Sequence, residues 1–420
     1  MTDFPALLRN QRWFGAKSRH ITSVEILDSA VLTGTTTLLN LITNNYAEGL
    51  GETYFVPVLK DSDALLDDAT CLSILGLIEN ESRIPTQHGN IQGCRSSGFP
   101  NAAPNLSAIR RVKTEQSNSS IIFGDRLILK LFRRQQPGEN PDCELSRYLT
   151  EHTQFRAIPP FAGSLEYRRQ GSEPYTLAIL QGLVPNLGDG LNWTLEQIRA
   201  GHPVSEAFAK LGRRTAQMHA ALATFQPQPI EHADLLSLAD DMSHHAKQSL
   251  ARLDRELPGH EILDCFDRLK TLKPSSLRIR IHGDYHLGQI LRVPDDFVIL
   301  DFEGEPTKSL TERRAKHCPL KDVAGMLRSF SYVSYIGIPD ETTRHNWEVS
   351  TCAAFLDAYT QEAGNATFLP ADPQAFNTLL KAYVLDKAFY ELNYEIDNRP
   401  DWVRIPLSAI LASQHGEDLP

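Results

Sequence analysis

Long hydrophobic runs are missing from this sequence. No stretch of the 420 residues approaches the roughly 20 apolar residues that a membrane-spanning helix needs, and the apolar pieces are short, such as Ile179-Leu180 and Phe297 to Leu300. The first residues, MTDFPALLRNQRWF, lack the basic-then-apolar layout of a secretory signal. Basic clusters are missing too. Lys and Arg number 42 against 52 Asp and Glu, giving a formal net charge of −10. Without a basic face, neither nucleic acid nor an anionic membrane is an expected partner. The 6 cysteines lie far apart, at 71, 94, 143, 265, 318 and 352, with no C-x-x-C pair. That argues against a disulfide scaffold and a zinc ribbon, and for reduced, mostly buried thiols in a cytoplasmic protein. There is no internal repeat, no low-complexity tract and no G-x-G-x-x-G before Lys130.

What is present is globular. Hydrophobic residues make up 41% and charged residues 22%, and the length calls for two to three domains or subdomains. Val24 to Leu32, Thr35 to Ile42 and Thr53 to Leu59 read as strands. The Gly-, Pro- and Ser-rich segment 87–104 reads as a boundary. Beyond it, Ser107 to Lys113, Ser119 to Phe123 and Leu127 to Phe132 read as strands, with Gly124-Asp125 as a hairpin turn. Pro141 to His152 reads as a helix with Asp142 and Glu144 in its acidic first turn, and Thr176 to Leu180 as a further strand. From about Thr194 helices dominate: Glu206 to Phe225, Asp234 to Leu257 and Gln374 to Ile396 carry apolar residues at three- and four-residue spacing. One strand pair, Arg278 to His282 with Phe297 to Leu300, interrupts them.

The densest chemistry lies in HGDYHLGQ, His282 to Gln289, followed by a strand and Asp301-Phe302-Glu303. Phosphoryl transfer needs a carboxylate at the acceptor hydroxyl and a metal on the phosphates. Asp284 is the expected base. Gln289, five residues on, and Asp301, at the end of the strand, are the expected Mg²⁺ ligands, with Glu303 as a further oxygen or a substrate contact. His282 and His286 are four apart, but the glycines around them make a loop and leave no third zinc ligand; His282 reads as a brace. Lys130, on an apolar strand, is the expected phosphate cation. Glu144 on the next helix is its expected partner. Ser117, Asn118 and Ser119, in the turn EQSNSS, stand where backbone N–H groups would cover the phosphates of ATP. Gln181 to Val184, with Gln181 and Leu183 as contacts, stand where the adenine would be read.

Assembled, these residues resemble the aminoglycoside-phosphotransferase-like branch of the protein-kinase fold, and within it the maltokinases. QRWFGAKSR, LILKLFRR, NPDCELSRYL, HGDYHLGQIL, ILDFEGEP and YELNYEIDNRPDW carry the resemblance from Gln11 to Trp402. It implies an α+β, bilobal kinase: a cap subdomain over 1–95, a sheet-rich nucleotide lobe over 96–185 and a helical lobe over 186–420. It implies transfer from ATP to maltose and a pathway beginning from trehalose, with a trehalose synthase as a possible partner. It also places acceptor contacts in residues 383–402. There, Lys387, Glu391 and Glu395 recur at four, as do Tyr390 and Tyr394, so the helix offers carboxylates and aromatic faces to a sugar. Tyr390, Glu391, Tyr394 and Trp402, with His286 of the loop, are the expected acceptor residues. The readings in competition are a kinase for glucosamine or an aminoglycoside, and a non-catalytic ATP-binding regulator.

Overall fold

The computed structural model describes residues 2–101, 106–112, 117–253 and 259–412. The chain divides into two compact units, residues 1–184 and 185–420.

The first unit is built on two antiparallel sheets. One joins β1 (Ile21–Val31), β2 (Leu38–Tyr46), β3 (Glu52–Leu59) and the short β4 (Ser62–Asp63). The other, seven-stranded among the described residues, runs β5 (Arg83–Pro85), β6 (Gly89–Arg95), β11 (Phe161–Arg169), β12 (Tyr175–Gly182), β9 (Leu127–Phe132), β8 (Asn118–Phe123), β7 (Ile109–Arg111). Helices α1 (Phe4–Arg9), α2 (Asp68–Glu79) and α3 (Pro141–His152) complete the unit. Strand β10 (Arg134–Gln135) leaves the end of β9 and pairs with β3, so the chain that carries Lys130 is stitched directly into the first sheet. Apolar side chains of both sheets and α2 share one core, including Leu41, Phe55, Ile74, Ile78, Leu129, Leu165 and Leu177.

Two sequence expectations change here. Segment 87–104, expected as a boundary, carries β6 in its first part, which pairs with β11, so 83–95 joins the sheet of Lys130 and not the first sheet. Its glycine content has a packing cause. A Cβ at Gly93 would lie 2.0 Å from the Leu77 carbonyl oxygen of α2. The expected strand Ser107 to Lys113 shortens to β7, and Lys113 lies outside the described residues, as do Glu115 and Gln116 of the phosphate turn.

The second unit is mostly helical: α4 (Gly190–Ala200), α5 (Ser205–Leu222), α6 (His232–Leu250), α7 (Gly259–Asp267), α8 (Leu310–Arg313), α9 (Leu320–Gly337), α10 (Glu341–Ala363), α11 (Pro373–Asn398) and α12 (Arg404–Ala412). The expected helix ending at Leu257 is described to Leu250, and Leu257 lies outside the described residues. The expected strand pair does not form. Strand β14 (Leu277–Arg278) pairs with β13 (Gln228–Pro229), and β16 (Asp296–Ile299) pairs with β15 (Ile290–Val293), which directly follows the HGDYHLGQ loop. A local hairpin closes sooner than a pairing across that loop. No described helix is long and apolar enough to cross a membrane, and all six cysteines are free thiols.

Candidate active site

The loop between β14 and β15 is held from beneath by one buried carboxylate. Asp322, in the first turn of α9 and 2% exposed, accepts the His282 N–H at 2.8 Å and the Gly283 N–H at 2.9 Å. His219 of α5 lies 3.2 Å from it through Nε2 and holds Tyr359 Oη at 2.9 Å through Nδ1. Consecutive buried N–H groups demand an acceptor, and Asp322 supplies both oxygens. Helix α9 can approach this closely because a Cβ at Gly325 would stand 2.7 Å from the Tyr285 carbonyl oxygen.

His282 braces the same loop from the side. Its Nε2 meets the Leu300 carbonyl at 2.7 Å, which fixes the proton on Nε2 and leaves Nδ1 to accept the Asp284 N–H at 3.4 Å. One neutral ring thus ties Asp284 to the strand end that delivers Asp301. Asp301 itself sits at φ +62°, a left-handed conformation that a non-glycine residue holds only when its surroundings impose it. Its Oδ2 receives the Gln289 side-chain N–H at 3.2 Å, so the structure brings Gln289 and Asp301 together. The Glu303 carboxylate lies 3.8 Å from Arg313.

Asp284 opens into a cavity of about 220 Å³ within this unit, lined by Tyr285, Glu305, Lys308, Lys321, Asp386, Lys387, Tyr390 and His245 among others. Lys387 Nζ stands 3.8 Å from Asp284 Oδ1 and 4.4 Å from the Tyr390 ring centroid. His286 Nδ1 accepts the Gly288 N–H at 3.0 Å, which turns its protonated Nε2 towards Asp284 Oδ2 at 3.8 Å. Burial and the Glu305 carboxylate push the Tyr390 phenol upward, so it stays a neutral hydrogen-bonding group at any working pH. The hydrogen bond to Asp386 raises His245 against the opposing pull of burial.

Of the expected acceptor residues, Tyr390 lines this cavity and His286 borders the base, but Glu391, Tyr394 and Trp402 are absent from its lining. Helix α11 turns about 100° per residue, so Asp386, Lys387, Tyr390 and Asn393 share one face while Glu391 and Glu395 occupy another. Glu391 is buried against Arg328 of α9, at 2.9 Å from Nε and 2.8 Å from Nη2. Glu395, 1% exposed, holds Arg399 at 2.7 Å and accepts from Tyr332 at 3.0 Å. Arg399 in turn covers Tyr394 and Trp402. Within the four-residue spacing, Lys387 and Tyr390 thus line the cavity, while Glu391 and Glu395 are buried in ion pairs.

In the first unit, Lys130 Nζ lies 3.3 Å from Asp142 Oδ2, and both are largely buried. Asp142, used in sequence reasoning only as a first-turn acid, is the carboxylate placed on Lys130; the pairing expected with Glu144, two residues on, stays an expectation. Asp142 also accepts from Ser146, which receives the Gln181 amide at 3.3 Å, so Gln181 belongs to the same network. The N–H groups of Gly182 and Leu183 are given to the carbonyls of Pro160 and Arg126. Those two donors are thus engaged inside the unit and not held out for a base. Ser117 is exposed and Asn118 begins β8, while the Ser119 hydroxyl accepts from Arg133 Nε at 2.8 Å and is turned away from a ligand role.

A sheet-borne lysine on a helix carboxylate, and in the helical unit a braced aspartate loop followed by a paired Gln and Asp, define a protein-kinase-like phosphotransferase with a hydroxyl acceptor. Residues 108–304 match the phosphotransferase enzyme family, and residues 7–82 match the maltokinase N-terminal cap domain. The chain is thus similar to that phosphotransferase family and, ahead of it, to the maltokinase-type cap. It is 27% identical over 332 residues to a glucosamine kinase of Streptacidiphilus jiangxiensis, covering 73% of this chain and 74% of the relative. It is 25% identical over 390 residues to a glucosamine kinase of Mycolicibacterium smegmatis, covering 85% and 92%. Among solved structures, a glucosamine kinase superposes with a TM-score of 0.76 at 23% identity, covering 98% of this chain and 97% of the other. A second, in complex with glucosamine, ADP and inorganic phosphate, gives 0.73 at 22% identity, covering 97% and 98%. These likenesses establish the fold.

Proposed function

We propose that this sugar-kinase-like phosphotransferase moves the γ-phosphoryl group of ATP to the anomeric hydroxyl of maltose, giving maltose 1-phosphate and ADP. The observation that carries the reading is Asp284, braced through its own loop and facing a cavity that carries Tyr390, Lys387 and Glu305. Such a lining offers hydroxyls both charged hydrogen-bond partners and an aromatic face. As the sugar oxygen bonds to the γ-phosphorus and the bond from that phosphorus to the β-bridging oxygen breaks, Asp284 accepts the hydroxyl proton. His286 Nε2 and the ammonium of Lys387 each stand 3.8 Å from one oxygen of Asp284, close enough to bias its carboxylate electrostatically without a direct hydrogen bond. Lys130, kept by Asp142, steadies the nucleotide phosphates. Gln289 and Asp301 present hard amide and carboxylate oxygens that fit Mg²⁺, which would screen the phosphate charge. The match to the maltokinase cap favours maltose, and with it a supplier that makes maltose from trehalose, such as a trehalose synthase.

A second reading, glucosamine as acceptor, is favoured by the curated relatives and by the carboxylates Glu305 and Asp386 in the cavity, which suit an ammonium group. Purified protein with Mg–ATP and, separately, maltose, glucosamine, glucose and kanamycin decides between them by ADP release and the mass of the product. Glucosamine 6- or 1-phosphate with no maltose phosphate would overturn the first reading. ADP release with none of the four, despite binding of Mg–ATP, would favour a non-catalytic regulator.

A further inference from the structure

The cavity beside Asp284 holds ionised groups of both signs, and they are not equally engaged. Apart from the base, its carboxylates have partners. Asp322 takes the N–H groups of His282 and Gly283, Asp386 takes His245, and Glu305 faces the Tyr390 hydroxyl. The ammonium groups are left open. Lys308 stands 3.9 Å from Glu312 and Lys387 3.8 Å from Asp284, both beyond hydrogen-bond reach. Lys321 lines the same cavity and makes no ion pair or side-chain hydrogen bond among the described residues. Ammonium groups without acceptors, gathered around a base, suit the oxygens of an anion.

The position of Lys321 sharpens the point. It is the second residue of α9, where the helix dipole is positive and a cation is unfavourable. Burial, and then Lys321 with Arg278 and Arg280, holds the His317 imidazole down at about 3, the mark of a positive field on this side of the loop. A neutral side chain would serve the fold better there. The loop HGDYHLGQ itself carries no lysine, so the open ammonium groups nearest the reacting atoms come from α9 and α11.

We infer that Lys321 and Lys387 receive the transferred phosphoryl group, holding its oxygens on the acceptor side as it settles on the sugar. The inference rests on the kinase reading above. In that step the sugar oxygen bonds to the γ-phosphorus, the bond to the β-bridging oxygen breaks with its electron pair going to ADP, and the hydroxyl proton passes to Asp284. A phosphate ester with about two negative charges then lies beside a carboxyl that has just been neutralised. Two ammonium groups stabilise that ester and the transition state leading to it. They are not needed by the free sugar, so their signature is a preference for the phosphorylated sugar over the free one. A lysine that merely biased the Asp284 carboxylate would lower kcat and leave that preference untouched.

The test uses the full chain and the variants Lys321→Met, Lys387→Met, Lys321→Arg and Lys387→Arg. Calorimetry without nucleotide gives Kd for maltose and for maltose 1-phosphate, or for glucosamine and its phosphate product where maltose is not taken. Thermal melting gives stability, and ADP release gives kcat. Wild type should bind the ester at least about tenfold more tightly than the free sugar, as hydrogen bonds between charged groups allow. Each Met variant should lose about tenfold of that preference and about tenfold in kcat, with Kd for the free sugar within about twofold. The Arg variants, which keep the charge, should retain most of it. Lys321→Met should melt no lower than wild type, because it removes a cation from the positive end of α9. An unchanged preference in either Met variant overturns the inference, as does equal weakening of ester and free sugar, or a wild type with no preference for the ester. Absence of ADP release by wild type with every sugar overturns the kinase reading itself.

Discussion

Asp322 offers the sharpest test of how the active loop is held. Asn in its place keeps one accepting oxygen where the carboxylate used two. With that oxygen facing the His282 N–H and His219, as Oδ2 does now at 2.8 and 3.2 Å, the new NH₂ group would point at the Gly283 N–H, which Oδ1 now accepts at 2.9 Å. One buried donor is then left unpaired against another donor, and the two remaining bonds lose their charge assistance. Together these should lower stability by about 2–4 kcal/mol, with an unpaired buried group contributing about 1–3 of that. Asp284 is two residues from His282, and a displacement of its carboxylate by about 1 Å would reduce kcat on the order of a hundredfold. The assay pairs urea unfolding with steady-state ADP release. Asp322→Asn within about 0.5 kcal/mol of wild type and within twofold in kcat would refute the bracing argument. The pH dependence adds a sign. Burial alone would raise the Asp322 carboxyl, but the hydrogen bonds from His219 and the Gly283 N–H outweigh it, and its pKa ends below the ordinary value. Its contribution to stability is therefore complete above the unfolded value of about 3.9 and lost as pH falls through the lower folded value. Wild type should lose stability below about pH 4, and the Asn variant should show a flatter acid limb.

Asp284→Asn should cut kcat by at least about a hundredfold with ATP-analogue affinity unchanged, and retention of more than about a tenth of turnover would remove Asp284 from the role of base. Glu391→Gln strands the buried Arg328 and should cost about 3–5 kcal/mol of stability with little change in acceptor KM. A large rise in acceptor KM at full stability would return Glu391 to the acceptor site. Asp142→Asn releases Lys130 and should raise KM for ATP several-fold, read from initial rates; an unchanged value would put the control of Lys130 elsewhere. Asp386→Asn removes the hydrogen bond that raises His245, so the His245 titration followed by NMR should move down. Because the folded value is raised, the stability from this pair is present below about pH 6.5 and lost as pH climbs through the folded value. A titration unmoved by the substitution would show that Asp386 does not set it.

Local chemistry was legible in the sequence. The spacing of Asp284, Gln289 and Asp301, the apolar strand bearing Lys130 and the acidic start of α3 all depend on neighbours within about a dozen residues, where chain geometry leaves few choices. Partners from distant parts of the chain were not legible. Nothing near residue 282 announces Asp322, and the pairing of β14 with β13 instead of β16 is decided by which segments lie side by side in the fold. The acceptor helix shows the same limit. Four-residue spacing in α11 marks faces but not which face meets a cavity: Tyr390 lines the one beside Asp284, while Glu391, Tyr394 and Trp402 lie outside its lining.

The sequence by itself determined the reaction class, because phosphoryl transfer is served by a short loop whose residues must be close in the chain. Only the tertiary structure decided which charges are buried. Nothing in the local sequence sets Arg133 apart from Arg134, yet it is enclosed by Trp13, Asp63 and Ser119, contributed from 120, 70 and 14 positions away. Desolvating a charge is favourable only where a partner waits, and that partner is supplied by the packing of the whole unit and not by the local sequence.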